Sequence, residues 1–125
     1  MTKFLMVGLG GFLGSMMRYG TGLLVDQYRC ADCPPLGTLV VNALGCLVIG
    51  LLGGLAEGRG LLGGSGRLFL FIGVLGGFTT FSSFGMESFE LLRTGNWGMA
   101  LGNVLLQVVV GLTAVWMGFS AARLF

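Results

Sequence analysis

Three long stretches of this chain contain no charged residue: Leu36 to Ala56, Leu68 to Met86 and Asn96 to Ala122. A fourth stretch, residues 4–25, contains only Arg18. About 20 mostly apolar residues cross the hydrocarbon core of a bilayer as a helix. Only 10% of the 125 residues are charged, against the ~25% of an average soluble domain. Such a chain cannot cover a water-facing surface. The pattern predicts an all-α membrane protein with four transmembrane helices, at about 4–25, 37–56, 68–92 and 97–121. The loops are short, so residues 1–125 are expected to form a single transmembrane domain. The charged start at Lys3 also fits a signal peptide, but Arg18 and the three later spans favour a retained helix.

The third apolar stretch is interrupted. It reads Gly76-Gly77-Phe78-Thr79-Thr80-Phe81-Ser82-Ser83-Phe84, and paired glycines followed by β-branched threonines are poor helix formers. Irregular backbone survives at membrane depth only where it is buried in protein or lines a polar cavity. Helix 3 is therefore predicted to break near its middle, and the break marks a binding site. Carbonyls freed there suit a cation. The half-helix beginning after the break turns its amide N–H groups and positive dipole end toward the same place.

Glycine is abundant, 25 of 125 residues, and recurs four residues apart at Gly10/Gly14, Gly50/Gly54 and Gly73/Gly77. Small residues at that spacing let membrane helices approach closely. Four short helices enclose too little volume for a pathway of their own, so an oligomer is expected. An even number of spans puts Lys3, Arg59, Arg67 and Arg123 on one face and Arg29 and Arg93 on the other. This Lys/Arg bias orients a membrane protein only weakly. It permits insertion both ways, and hence an antiparallel dimer of identical chains.

Several function classes recede. There is no histidine, no carboxylate pair within a span, and no serine or cysteine beside an evident base, so an enzyme is hard to build. Cys30 and Cys33 supply only two ligands where zinc usually takes four; they read as a loop pair, and Cys46 as a small apolar residue. A net charge of +2 is too small and scattered for nucleic acid. A proton-coupled small exporter needs a membrane carboxylate, and none lies between Thr2 and Leu24. A purely structural subunit does not explain the broken helix beside Asn42.

A channel needs only a lined path. Thr38 and Asn42 lie four apart, on one face of helix 2. An amide in hydrocarbon is costly unless partnered, so Asn42 either ties helices together or offers N–H to an anion. Phe81 and Phe84 share a face of helix 3, and the positive edge of an aromatic ring can approach an anion without a tight grip. Ser82 and Ser83 add hydroxyls. Asn103 and Gln107 form a second polar stripe on helix 4. Arg18 reaches an interface or lines a vestibule, with Glu87 as a possible partner.

These segments resemble the Fluc (CrcB) family of small fluoride channels over essentially the whole chain. The likeness is carried by Gly10-Gly11-Phe12-Leu13-Gly14-Ser15-Met16-Met17-Arg18-Tyr19, by Gly37-Thr38-Leu39-Val40-Val41-Asn42-Ala43-Leu44-Gly45, and by residues 76–84. The resemblance implies an antiparallel, dual-topology homodimer in the inner (plasma) membrane, multi-pass, with two fluoride pores. It implies passive export of cytoplasmic fluoride, and so resistance to its toxicity. By the same resemblance Phe81 and Phe84 turn ring edges to fluoride, Asn42 is the pore asparagine and Arg18 shapes the vestibule. Backbone carbonyls of Gly76 and Thr79 hold a central structural sodium ion. Thr38, Ser82, Ser83 and Gln107 complete the expected pore. One departure stands out: the family's helix 4 carries a tyrosine and serine track, whereas the comparable positions here hold Asn103, Gln107 and Gly111.

Overall fold

Residues 1–28, 36–59 and 63–124 are described by the computed structural model; Arg29 and the Cys30/Cys33 pair lie outside them. Among the described residues every regular element is helical. Helix α1 is Thr2–Asp26 and α2 is Leu36–Arg59. The third stretch starts as α3 (Gly64–Arg67) and continues as a π-helical segment, Leu68–Leu75. It returns to α-helix in α4 (Gly76–Phe78), unwinds over two residues and resumes as α5 (Phe81–Arg93). Helix α6 is Trp97–Ala122. The four apolar stretches are helical, the third with a two-residue interruption, and their ends fall within a few residues of those expected.

Leu36–Glu57, Gly64–Arg93 and Trp97–Ala122 are long and apolar enough to cross a membrane. Helix α1 is as long, at 25 residues, but Ser15, Arg18, Tyr19 and Thr21 interrupt its apolar run. The outer surface is apolar: Phe12, Leu112 and Trp116 are each more than 60% exposed. Among the described residues the buried apolar side chains are few, namely Val41, Leu75, Phe78, Ala100 and Ala122. In water such a surface would be a liability; against lipid tails it is the favoured one.

Packing rests on backbone contact rather than on large interdigitated side chains. A Cβ on Gly10 would lie 2.9 Å from the Gly73 Cα, and one on Gly77 would lie 2.6 Å from the Gly11 carbonyl oxygen. These glycines press α1 against the third stretch. Gly50 and Gly118 do the same for α2 and α6, each with room for no side chain against the Val115 and Leu47 carbonyls respectively. Lipid tails supply no hydrophobic drive between helices, so close van der Waals approach must hold them. The turn from α5 to α6 is equally short. Gly95, at φ +79°, ends α5: its N–H bonds to the Leu92 carbonyl at 3.0 Å, and that of Asn96 to Leu91 at 2.9 Å. This is the paired arrangement that closes a helix through a left-handed residue, and it reverses the chain into α6.

Valine at Gly118 should force α2 and α6 apart and cost about 1–3 kcal/mol, the usual range for overpacking. Gly8→Ala, where a Cβ meets nothing within 4 Å, should leave stability unchanged or raise it slightly. Thermal unfolding of the two variants in detergent checks the contrast.

Candidate functional site

The break is narrower than the sequence suggested. Gly76 and Gly77 remain helical, and only Thr79 (φ −79°, ψ 157°) and Thr80 (φ −149°, ψ 116°) are extended. The cost of glycine in a helix is offset here by the approach to α1 that Gly77 permits. The threonines have their own reasons to leave the helix. Thr79 still closes on the Leu75 carbonyl with both its N–H (3.0 Å) and its hydroxyl (2.9 Å). Thr80 is the N-cap of α5, and its Oγ1 accepts from the Ser83 N–H at 3.2 Å. Threonine is a favoured N-cap residue, a signal that the sequence reading passed over.

The extended Thr80 backbone is paired with one side chain. Its N–H donates to Asn42 Oδ1 at 2.8 Å, and its carbonyl accepts from Asn42 Nδ2 at 3.1 Å. The second Asn42 N–H donates to Gln107 Oε1 at 3.1 Å. Asn42 thus joins α2, the break and α6, as its interhelical reading anticipated, and both its N–H groups are used inside the chain. Gln107 Nε2 is buried and has no hydrogen-bond partner among the described residues.

Two cavities meet at Thr80. One, of about 410 Å³, is lined by Asn42, Gly45, Cys46, Gly76, Thr79, Thr80, Phe81, Phe84 and Gln107 among others. Its aromatic edge is formed by Phe81 and Phe84, whose ring centroids are 5.3 Å apart and inclined at 68°. Phe81 is 81% exposed in the single chain. The other cavity, of about 180 Å³, is lined by Arg18, Asp26, Thr38, Thr80, Ser83 and Glu87 among others. Arg18 and Glu87 therefore face one space, and the Thr38 hydroxyl donates to Glu87 Oε1. Thr80 Oγ1 also reaches Ser83 Oγ at 3.1 Å and Ser82 Oγ at 3.2 Å. Sequence reasoning overlooked Thr80 and Asp26.

The expected helix-4 stripe divides. Asn103 is buried and donates to Ser88 Oγ at 3.1 Å, while Ser88 donates to the Phe84 carbonyl at 2.8 Å. Asn103 ties α6 to α5 and lines neither cavity; only Gln107 faces the groove. The reason is partner supply: a buried serine hydroxyl on α5 lies opposite Asn103.

The break also fits a cation. In an unbroken helix the Gly76 carbonyl would accept from the Thr80 N–H, and the Thr79 carbonyl from the Ser83 N–H. Here those donors are diverted, to Asn42 and to the Thr80 hydroxyl. The break deprives the carbonyls from Gly76 to Thr79 of helical donors; the two singled out for sodium are among them, and both residues line the larger cavity.

Residues 5–119 match the family described as CrcB-like protein, Camphor Resistance (CrcB). The chain is 49% identical over 124 residues to a fluoride-specific ion channel FluC of Opitutus terrae, covering 98% of this chain and 93% of that protein. Proteins of the same name from Methylobacillus flagellatus and Thermus thermophilus are 44% and 47% identical, over 99% and 95% of this chain and 97% and 94% of their own. The chain belongs to the CrcB family.

Replacing Asn42 with alanine should leave the buried Thr80 N–H unpaired, at about 1–3 kcal/mol, while the Thr80 carbonyl keeps the first helical bond of α5. Hydrogen exchange is the direct check: the Thr80 amide should lose protection in Asn42→Ala while amides in the middle of α6 keep theirs.

Proposed function

From its place in the CrcB family, we propose that this chain is a fluoride-specific ion channel. It lies in the inner (plasma) membrane as one domain with four spans, α1 supplying the fourth. It lets cytoplasmic fluoride out passively, down its electrochemical gradient, and so protects the cell from fluoride. The observation that carries the reading is the near-full-length likeness to relatives named as fluoride channels. The amide-and-phenyl groove at the helix break supports it.

The working unit is an antiparallel homodimer with two pores. Three features favour a second copy. Phe81 stands out from the single chain, so its ring needs a neighbour to form a pore wall. The weak Lys/Arg asymmetry tolerates both orientations. Two carbonyls, from Gly76 and Thr79, are too few to replace the hydration shell of a cation, and a second copy would bring two more. Sodium held there would supply a fixed positive charge between the chains.

Fluoride is small and strongly hydrated, so a selective path must replace its water with fixed donors. Arg18 shapes the vestibule, the smaller cavity, where it stands among the carboxylates of Asp26 and Glu87 and beside Thr38 and Ser83. The hydroxyls of Ser82 and Ser83 flank Thr80, and beyond it lie Asn42, Gln107 and the edges of Phe81 and Phe84. Ring edges and neutral donors hold an anion less firmly than Lys or Arg would, and conduction requires that it leave again. The narrow passage penalises the larger chloride.

Purified protein in liposomes should release fluoride rapidly and chloride not at all, with valinomycin carrying the potassium counter-flux and an electrode recording the anion. Phe81→Ile and Phe84→Ile should slow fluoride by about tenfold or more, the effect of losing ~1.4 kcal/mol at the barrier, while the dimer still forms. Fluoride retention by well-folded wild-type protein would refute the channel; wild-type flux in both variants would remove the rings from the mechanism.

A further inference from the structure

Three charges stand at the edges of charge-free runs and gather at one end of the bundle. Glu57 follows the run of α2, Arg67 precedes that of the third stretch, and Arg123 follows that of α6. Charged residues at the ends of membrane helices lie at the level of the lipid headgroups. At this end is a third cavity, of about 420 Å³, lined by Gly53, Ala56, Glu57, Arg67 and Phe119. We propose that it holds the headgroup of a zwitterionic phospholipid with a primary ammonium, the phosphate on Arg67 and the ammonium on Glu57.

The cavity is ordered by depth. Gly53 and Phe119 lie four residues inside Glu57 and Arg123, about 6 Å deeper at ~1.5 Å per helical residue. Small and apolar groups thus form the floor and charged groups the rim, as the glycerol and acyl chains below a headgroup require. Gly53 leaves the room. A Cβ there would meet nothing within 4 Å, whereas one on neighbouring Gly54 would lie 2.6 Å from the Ala122 Cβ. The charges select the guest. Glu57 and Arg67 line one space, yet neither forms an ion pair among the described residues. Arg67 is held over Phe71, its Cζ 5.9 Å from the ring centroid, and Arg123 over Phe119 at 4.9 Å. Opposite charges held apart in one cavity complement a ligand that carries both. A purely anionic headgroup would be repelled by Glu57. A choline headgroup has no N–H to give that carboxylate, whereas an ammonium has three, and charge-assisted hydrogen bonds are the strong ones.

Native mass spectrometry of the full chain in detergent tests this, with phosphatidylethanolamine, phosphatidylcholine and phosphatidylglycerol added in equal amounts. The ethanolamine lipid should be retained over the other two by about fivefold, the worth of one charge at a membrane surface. Glu57→Gln should erase its advantage over the choline lipid. Arg67→Gln should lower retention of all three by about fivefold. Gly53→Leu, which fills the floor without changing charge, should lower all three as well. Thermal unfolding should show each variant as stable as the wild type or more so. Equal retention of the three lipids by wild-type protein, or a preference for the glycerol lipid, overturns the proposal. So does an ethanolamine preference that survives Glu57→Gln. Displacement of the lipid by an equal concentration of glycerophosphoethanolamine would give the site to a soluble ligand instead. Loss of a wild-type dimer in Gly53→Leu would give the cavity to a second copy and likewise refute the lipid. None of these readings uses fluoride, so the channel reading can fail while the lipid site stands.

Discussion

The structure depends on how one extended residue, Thr80, satisfies its backbone inside an apolar medium. At membrane depth an unpaired N–H or carbonyl costs several kcal/mol, so a helix cannot simply unwind there. Asn42 makes the unwinding tolerable by supplying a donor and an acceptor at the spacing of a neighbouring backbone. Its place on α2 then fixes where along the third stretch the break can fall. Gly45, three residues on, leaves the Thr79 methyl room that any larger side chain would take. The two residues act together: one pairs the unwound backbone and the other admits its side chain.

Glycine shapes the rest in the same way. Where α1 meets the third stretch and where α2 meets α6, backbones touch and side chains are displaced outward. That gives a thin interior, a surface of large apolar side chains, and little volume between helices. Polar groups inside such a bundle have few places to go, and most find one another. Asn103 takes Ser88, Thr38 takes Glu87, and Asn42 takes Thr80 and Gln107. The Nε2 of Gln107 is the exception in the groove, with no partner among the described residues.

The spans were legible because charge is excluded from hydrocarbon: the charge-free runs place α2, the third stretch and α6 within a few residues. The Phe81/Phe84 pair was legible from its spacing of three. The extent of the break was not. Glycine propensity pointed to Gly76 and Gly77 as well, yet both are helical, because close packing outweighs a propensity difference of about 1 kcal/mol. The partner of Asn42 was also hidden. An asparagine facing inward can bind an anion or a backbone equally well in sequence terms, and only the structure brings the extended Thr80 opposite it. The same holds for the divergence of Asn103 and Gln107, four apart on one helix but facing different neighbours.

A single break yields two fields of opposite sign, and the diverted hydrogen bonds explain how. Before it, the carbonyls of Gly76 and Thr79 lose the N–H groups that a continuous helix would bring them. After it, α5 begins with N–H groups that have no carbonyl a turn below, and only that of Ser83 is taken by the Thr80 cap. Negative oxygen and positive N–H ends thus lie within a few residues, beside a groove with an amide on one wall and two rings on another. A lysine or arginine could have provided the positive field, but at full charge and with a desolvation cost. Backbone dipoles provide it in fractions and hold it in place.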